Sequence, residues 1–143
     1  MSDFESKAVR VTRRFSAVAE RVFDAWLDAE KASRWLFATP DGVMVRAEID
    51  ARVGGAFAFV ERRAGEDVEH VGEYLEIDRP RRLAFTLRVP KYSAATSKVI
   101  IEIVPQGEGC ELTLTHEQVP EDFREQTASG WESILDALAA SLG

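Results

Sequence analysis

Hydrophobic and polar residues alternate along most of this chain, and the period of the alternation changes along it. Residues 8–15 show a period of two, which predicts a first strand. After it the apolar residues recur at helical spacing, which predicts two helices, the first with Ser16 as its N-cap. The second, short helix carries Ala32, Trp35 and Leu36.

The middle of the chain returns to a period of two and is interrupted at short intervals. The alternation predicts six further strands, at residues 43–50, 56–62, 68–77, 83–89, 99–103 and 110–116. Turn and loop residues lie between them, namely Pro40-Asp41-Gly42, Gly54-Gly55, Glu66-Asp67, Arg79-Pro80 and Pro105-Gln106-Gly107. Short gaps of this kind favour an antiparallel meander.

The end of the chain predicts a long amphipathic helix that starts soon after Pro120. Its apolar stripe consists of Trp131, Ile134, Leu135, Leu138, Ala139 and Leu142. One face of a single antiparallel sheet must be covered, and this helix is the only predicted element long enough to cover it. We therefore predict an α+β helix-grip fold, in which a curved antiparallel sheet (β-α-α-β6-α order) wraps around the long C-terminal helix. The prediction is of one domain, residues 1–143.

Several short motifs occur in an order that is typical of one superfamily. They are Phe15-Ser16-Ala17, Val22-Phe23-Asp24-Ala25-Trp26, Ser33-Arg34-Trp35, Val53-Gly54-Gly55-Ala56-Phe57, Gly72-Glu73-Tyr74-Leu75-Glu76-Ile77, Pro80-Arg81-Arg82-Leu83 and Gly130-Trp131. Together they resemble the START-like, or Bet v 1-like (SRPBCC), helix-grip superfamily. The branch they resemble most is that of the homologues of the activator of heat shock protein 90 ATPase. The resemblance implies this fold. Relatives in the superfamily bind lipids, hormones or polyketides, or act as cyclases.

Two features depart from the family pattern. The eukaryotic co-chaperones of the family carry a separate N-terminal domain that engages the chaperone, whereas here the predicted domain starts almost at residue 8. Thr127 stands where many relatives have a histidine just before the Gly-Trp pair, which weakens a polar role for that turn. The family name therefore does not imply an activity.

Composition narrows the classes of function. The chain has 143 residues, is 45% hydrophobic and carries a net charge of −7, which argues against binding to nucleic acid or to an anionic membrane surface. No apolar run reaches the roughly 20 residues that span a bilayer, and no signal-peptide pattern is present, so we expect no membrane insertion and a cytoplasmic location. A single cysteine excludes an internal disulfide, and the presence of only two histidines, with no dense His/Asp/Glu cluster, argues against a metal site. No phosphate-binding or dinucleotide motif occurs, and we expect no cofactor.

The candidate site is the gap that a helix lying across a curved sheet leaves between them. The candidate ligand-binding residues are Trp35, Phe37, Phe57, Phe59, His70, Tyr74, Phe85, His116 and Trp131. Either these residues line a pocket or they form an ordinary core. Strand parity places both histidines inward. There an imidazole can orient a polar ligand group or exchange a proton. The alternative is that each is an ordinary hydrogen-bonded residue of its strand. The loop Lys91 to Thr96, with Tyr92 and Ser93, is a candidate lid or an ordinary hairpin connection.

The first functional hypothesis is binding of a small hydrophobic molecule, lipid-like, aromatic or polyketide-like, in a cavity between the sheet and the C-terminal helix, without catalysis. The alternatives are a cyclase- or hydratase-type enzyme that uses His70 or His116 in the same cavity, and a chaperone-associated interaction protein with an exposed apolar patch. The sequence also leaves open whether the chain forms a homodimer.

Overall fold

The computed structural model describes residues 8–39, 41–91, 95–119 and 121–142. The strands are β1 (Val9–Phe15), β2 (Val43–Ile49), β3 (Ala56–Arg63), β4 (Glu66–Asp78), β5 (Arg82–Leu87), β6 (Ser97–Gln106) and β7 (Gly109–Glu117). The α-helices are α1 (Ala19–Leu27), α2 (Ala29–Ala32) and α3 (Arg124–Leu142), and a short 3-10 helix at Glu121–Phe123 precedes α3. Within these ranges no helix is long and apolar enough to cross a membrane.

The strands form one 7-stranded antiparallel sheet in the order β1-β7-β6-β5-β4-β3-β2. The predicted order of elements and the α+β helix-grip class are therefore confirmed. One hairpin is tighter than the sequence predicts, because Glu66 and Asp67 lie in β4 and not in a loop. Ala64 and Gly65 make the turn with φ of 50° and 83°, the left-handed conformations of a two-residue hairpin.

The helices near the N-terminus differ from the prediction. Helix α1 begins at Ala19 after Val18 and has no side-chain cap, so the assignment of Ser16 as N-cap is wrong. The Asp28 carboxylate accepts a hydrogen bond from the backbone N–H of Lys31 at 3.1 Å and thereby starts α2. Helix α2 ends at Ala32, and residues 35–37, which we call the 35–37 segment, lie in irregular turns beyond it.

The layer that covers the inner face of the sheet is shared by several elements. Helix α3 contributes the buried residues Trp131, Leu135 and Leu138. Helix α1 and the 35–37 segment contribute a larger set, namely Ala19, Val22, Phe23, Ala25, Trp26, Trp35, Leu36 and Phe37. The expectation that the C-terminal helix alone covers the sheet is therefore incomplete, and aromatic side chains from outside α3 reach the centre of the molecule.

Candidate functional site

Aromatic side chains from the strands, from α1, from α3 and from the 35–37 segment meet between the sheet and the helices. We call this group the aromatic wedge; its members are Trp26, Trp35, Phe37, Phe57, Phe59, His70, Tyr74, Phe85 and Trp131. All of them are buried. The structure therefore brings together every sequence candidate except His116, which borders the wedge through Trp131.

The Phe37 ring occupies the centre of the wedge. Its centroid lies 6.3 Å from that of Phe57, 5.7 Å from that of Phe59 and 5.9 Å from that of Trp131. The ring stacks on the imidazole of His70 at 4.4 Å with an interplanar angle of 16°. Phe37 has φ of 59°, which a residue with a large side chain adopts only where surrounding contacts hold it.

The rings of the wedge leave little free volume. A cavity of about 10 Å³ remains among Trp26, Leu36, Phe37, Phe57, Tyr74, Leu83 and Phe85. This is close to the smallest space that holds one water molecule. In this structure the gap between sheet and helix is thus filled by side chains, and a ligand needs one of the rings to move.

The backbone of β4 makes room for the wedge at Gly72. This residue pairs with Phe57 across the β3–β4 ladder, and His70 pairs with Phe59. A Cβ atom at Gly72 would lie 2.6 Å from Phe57 Cε2 and 1.8 Å from the carbonyl oxygen of Thr86. Only glycine allows the Phe57 ring and β5 to approach β4 this closely.

A buried carboxylate holds the chain that follows Phe37. Glu61 is 1% exposed and its Oε2 accepts hydrogen bonds from the backbone N–H and, at 3.0 Å, from the Oγ1 of Thr39. Its Oε1 accepts from Arg63 Nε, and the same guanidinium donates to the carbonyl oxygen of Phe37 at 3.4 Å. Gly42 lies against this carboxylate, since a Cβ there would be 2.3 Å from Oε2. We call Glu61, Thr39 and Arg63 the Glu61 clasp.

Glu61 is a buried residue beside the wedge that the sequence did not single out. Its position carried a signal, because it shares strand parity with Phe57 and Phe59 and must therefore point inward with them. A charged residue on an apolar face is stable there only when it is paired and hydrogen-bonded. The partners are visible only in three dimensions.

His116 is hydrogen-bonded on both ring nitrogens. The indole Nε1 of Trp131 donates to His116 Nδ1 at 3.0 Å. Because Nδ1 accepts, a neutral ring carries its proton on Nε2, which donates to Ser97 Oγ at 2.6 Å. Ser97 in turn donates to the carbonyl oxygen of Leu87 at 3.2 Å. Burial lowers the pKa of His116 to about 4, so the ring is neutral at neutral pH.

This arrangement does not provide a general base for Ser97. A base must offer a lone pair to the hydroxyl proton, and the nitrogen that faces Ser97 already carries a hydrogen. The other nitrogen is bonded to Trp131. His116 is thus a positioning residue that joins β7 to β6 and to α3.

His70 has the same burial but different bonding. Its Nδ1 has no side-chain hydrogen-bond partner in the part of the chain that the structure describes, and the backbone of Phe59 and Val68 lies within hydrogen-bonding reach of the ring. Burial, with the nearby charge of Arg63 adding to it, lowers the pKa of His70 to about 4. The buried indole nitrogens of Trp26 and Trp35 also lack hydrogen-bond partners among the described residues. The wedge therefore contains polar atoms that its own side chains do not satisfy.

The remaining candidates contribute less. Tyr74 is buried, and burial together with the charge of Asp50 raises the pKa of its hydroxyl. In the candidate lid, Tyr92 and Ser93 lie outside the described residues. Among the residues that are described, no group of three or more His, Cys, Asp or Glu side chains is placed to hold a metal ion.

The chain has a curved antiparallel sheet that is closed by a C-terminal helix over an aromatic interior. These features define the START-like helix-grip fold, which commonly binds hydrophobic ligands. The chain belongs to the Activator of Hsp90 ATPase homolog 1-like protein family, whose model matches residues 16–143. No protein of curated function matches the chain.

Several solved structures are similar to this chain. Protein CV1439 from Chromobacterium violaceum is 31% identical, with 94% of this chain and 96% of that chain covered and a TM-score of 0.85. CalU16 from Micromonospora echinospora is 25% identical over 95% of this chain and 76% of its own, with a TM-score of 0.74. The AHSA1-like protein from Aeromonas hydrophila is 20% identical over 94% and 91% of the two chains with a TM-score of 0.82, which shows the fold alone.

Proposed function

We propose that this protein binds a small hydrophobic molecule, aromatic, polyketide-like or lipid-like, in the aromatic wedge. The observation that carries the proposal is the position of Phe37, whose ring fills the centre of the wedge but belongs to neither a strand nor a helix. The family fold, which commonly binds hydrophobic ligands, supports it. The residues proposed to line the bound ligand are Trp26, Trp35, Phe37, Phe57, Phe59, His70, Tyr74, Phe85 and Trp131, with His116 as the residue that positions Trp131.

The ligand enters by exchange with the Phe37 ring. Because the 35–37 segment is irregular, Phe37 can turn outward without breaking a hydrogen bond of the sheet. Exposing a phenylalanine side chain costs about 1.5–3 kcal/mol, whereas burying about 200 Å² of ligand surface is worth about 5 kcal/mol. Leaving the left-handed conformation also releases about 1 kcal/mol of backbone strain. Burial of the ligand surface thus offsets the exposure of Phe37, and the remainder acts against the free-energy cost of association.

We assign this binding to one domain, residues 1–143, in the cytoplasm. The acidic net charge of −7 supports a small-molecule partner over a nucleic acid. No proton-transfer step is included, because both nitrogens of His116 are engaged and burial lowers the pKa of His70 to about 4, which makes it a weak base at neutral pH.

A thermal-shift screen tests the proposal. The panel contains fatty acids, fused-ring aromatics and polycyclic ketones, and a ligand at 100 times its Kd is expected to add about 2.7 kcal/mol of stability. The variant Phe37→Leu should bind the same ligands more tightly, because a smaller side chain must be displaced. Phe23→Leu is the matched control, since Phe23 is a buried phenylalanine of α1 outside the wedge. The proposal fails if no panel member raises the Tm of the natural protein or of Phe37→Leu.

A further inference from the structure

We propose that a second site, on the surface and outside the aromatic wedge, binds the phosphate monoester of a small organic molecule. The site is a groove of about 380 Å³ between the end of β1, the start of α1 and the last turn of α3. We call it the arginine groove, because Arg13, Arg14 and Arg21 line it beside the apolar side chains of Phe15, Ala139 and Leu142. None of its lining residues belongs to the wedge, so this site is independent of the proposed function.

The charge of the arginine groove is opposite to that of the chain. The chain has a net charge of −7, yet three guanidinium groups line this groove and none of the described residues that line it is acidic. Most arginines of the described chain form an ion pair with a carboxylate, and Arg13 does so with Asp136. Arg14 and Arg21 form no ion pair with any described residue, so the groove holds two uncompensated positive charges.

Uncharged acceptors hold these two guanidinium groups in place. Arg14 Nε donates to the side-chain oxygen Oε1 of Gln106 at 2.9 Å. Arg21 Nη2 donates to the backbone carbonyl oxygen of Leu142 at the end of α3. A guanidinium group has five N–H donors, and each of these contacts uses one. Both groups are therefore oriented and keep donors for a ligand.

The backbone and the acidic residues around the groove do not cancel its charge. Helix α3 ends at Leu142 with a partial negative charge, and α1, which begins at Ala19 without a side-chain cap, brings an opposite partial charge to the same groove. Glu20 in α1 and Glu111, which is paired with Arg14 in the β1–β7 ladder, form no ion pair with the arginines of the groove. The guanidinium groups therefore decide the sign of the electrostatic potential there.

The number of charges and the size of the groove indicate the class of ligand. A phosphate monoester carries a charge of about −1.5 to −2 at pH 7 and three strong acceptor oxygens, which match two unpaired guanidinium groups. A single carboxylate neutralises only one of them. The groove volume of about 380 Å³ lies within the range of about 300–1,000 Å³ that is typical of small-molecule sites. A phosphate group alone leaves part of it empty, so the apolar wall of Phe15, Ala139 and Leu142 contacts the organic part.

Isothermal titration with phenyl phosphate, phenol and inorganic phosphate tests the proposal. Phenyl phosphate should bind more tightly than either of the others, because phenol lacks the charge and inorganic phosphate lacks the apolar part. Arg14→Gln and Arg21→Gln should each weaken the binding of phenyl phosphate about 10-fold or more, the usual effect of losing a hydrogen bond to a charged group. Arg88→Gln is the matched control, since Arg88 is exposed, lies outside the groove and has no ion pair among the described residues. It should leave the affinity unchanged.

Four results overturn the inference. They are no binding of phenyl phosphate, equal binding of phenyl phosphate and phenol, equal binding of phenyl phosphate and inorganic phosphate, and an affinity for phenyl phosphate that both groove variants leave unchanged or that Arg88→Gln lowers equally. If a groove variant fails to fold, backbone amide shifts of the natural protein during a titration with phenyl phosphate decide. Shifts at Ala17 and Arg21 support the arginine groove, whereas shifts confined to β3 and β4 place the probe in the wedge and refute the inference.

Discussion

Lowering the pH from 7 to 5 is expected to weaken the fold through its two buried histidines. Burial lowers the pKa of both His70 and His116 to about 4, whereas a histidine in the unfolded chain titrates near 6.5. A proton on His116 Nδ1 must also break the hydrogen bond from Trp131. Between about pH 6.5 and 4 the unfolded chain therefore binds more protons than the folded one, and stability falls as the pH falls through that window.

The size of the effect follows from the two pKa values. For one histidine whose pKa drops from 6.5 to about 4, the free energy of unfolding decreases by about 2 kcal/mol between pH 7 and pH 5. Two such histidines give about 4 kcal/mol, a large part of the roughly 5–15 kcal/mol by which a domain is stable. The pKa of Asp24 is lowered chiefly by its hydrogen bond with Arg79. Its contribution to stability is therefore lost only below the unfolded pKa of about 4, outside the window from pH 7 to pH 5.

Urea unfolding followed by circular dichroism at pH 7, 6 and 5 measures this dependence. The natural protein should lose about 4 kcal/mol between pH 7 and pH 5, and His116→Asn and His70→Phe should each lose about half as much. Phe23→Leu serves as control, because it lowers stability at every pH and should leave the slope unchanged.

Two results would refute the reasoning. The first is an equal free energy of unfolding at pH 7 and pH 5 in the natural protein. The second is an NMR titration in which the imidazole protons of His70 and His116 change near pH 6.5, because both rings would then be able to charge inside the fold.

Three substitutions test the packing around the wedge by urea unfolding. Glu61→Gln removes the charge that holds Arg63 and is expected to cost about 2 kcal/mol; an unchanged stability would show that the Glu61 clasp is not needed. Gly72→Ala places a methyl group against β5 and is expected to cost about 3 kcal/mol, and a neutral effect would contradict the close strand contact. Gly130→Ala, inside α3 with open space around its Cβ position, should instead add about 0.5–1 kcal/mol, and a loss of stability would show an unrecognised contact.

Much of the aromatic wedge could be predicted from the alternation of inward and outward residues along the strands. Alternation along β3 and β4 placed Phe57, Phe59, His70 and Tyr74 on one face, and all of them are buried. That these residues bind a ligand stays a prediction, since burial is equally the mark of an ordinary core. The same alternation pointed Glu61 inward, but no pattern in the chain indicates that Thr39 and Arg63 satisfy its carboxylate.

The sequence by itself determined the order of elements, the inward direction of Phe57, Phe59, His70 and Tyr74 and the family, because these depend on local periodicity and short motifs. Only the tertiary structure decided what fills the gap between the sheet and α3. Phe37 reaches the centre because α2 ends at Ala32, and His116 is neutral because side chains from other elements bury it, which lowers its pKa. Residues distant in sequence decide which side chain fills a space and which polar atom has a hydrogen-bond partner. Periodicity carries no information about which of these residues meet across the fold.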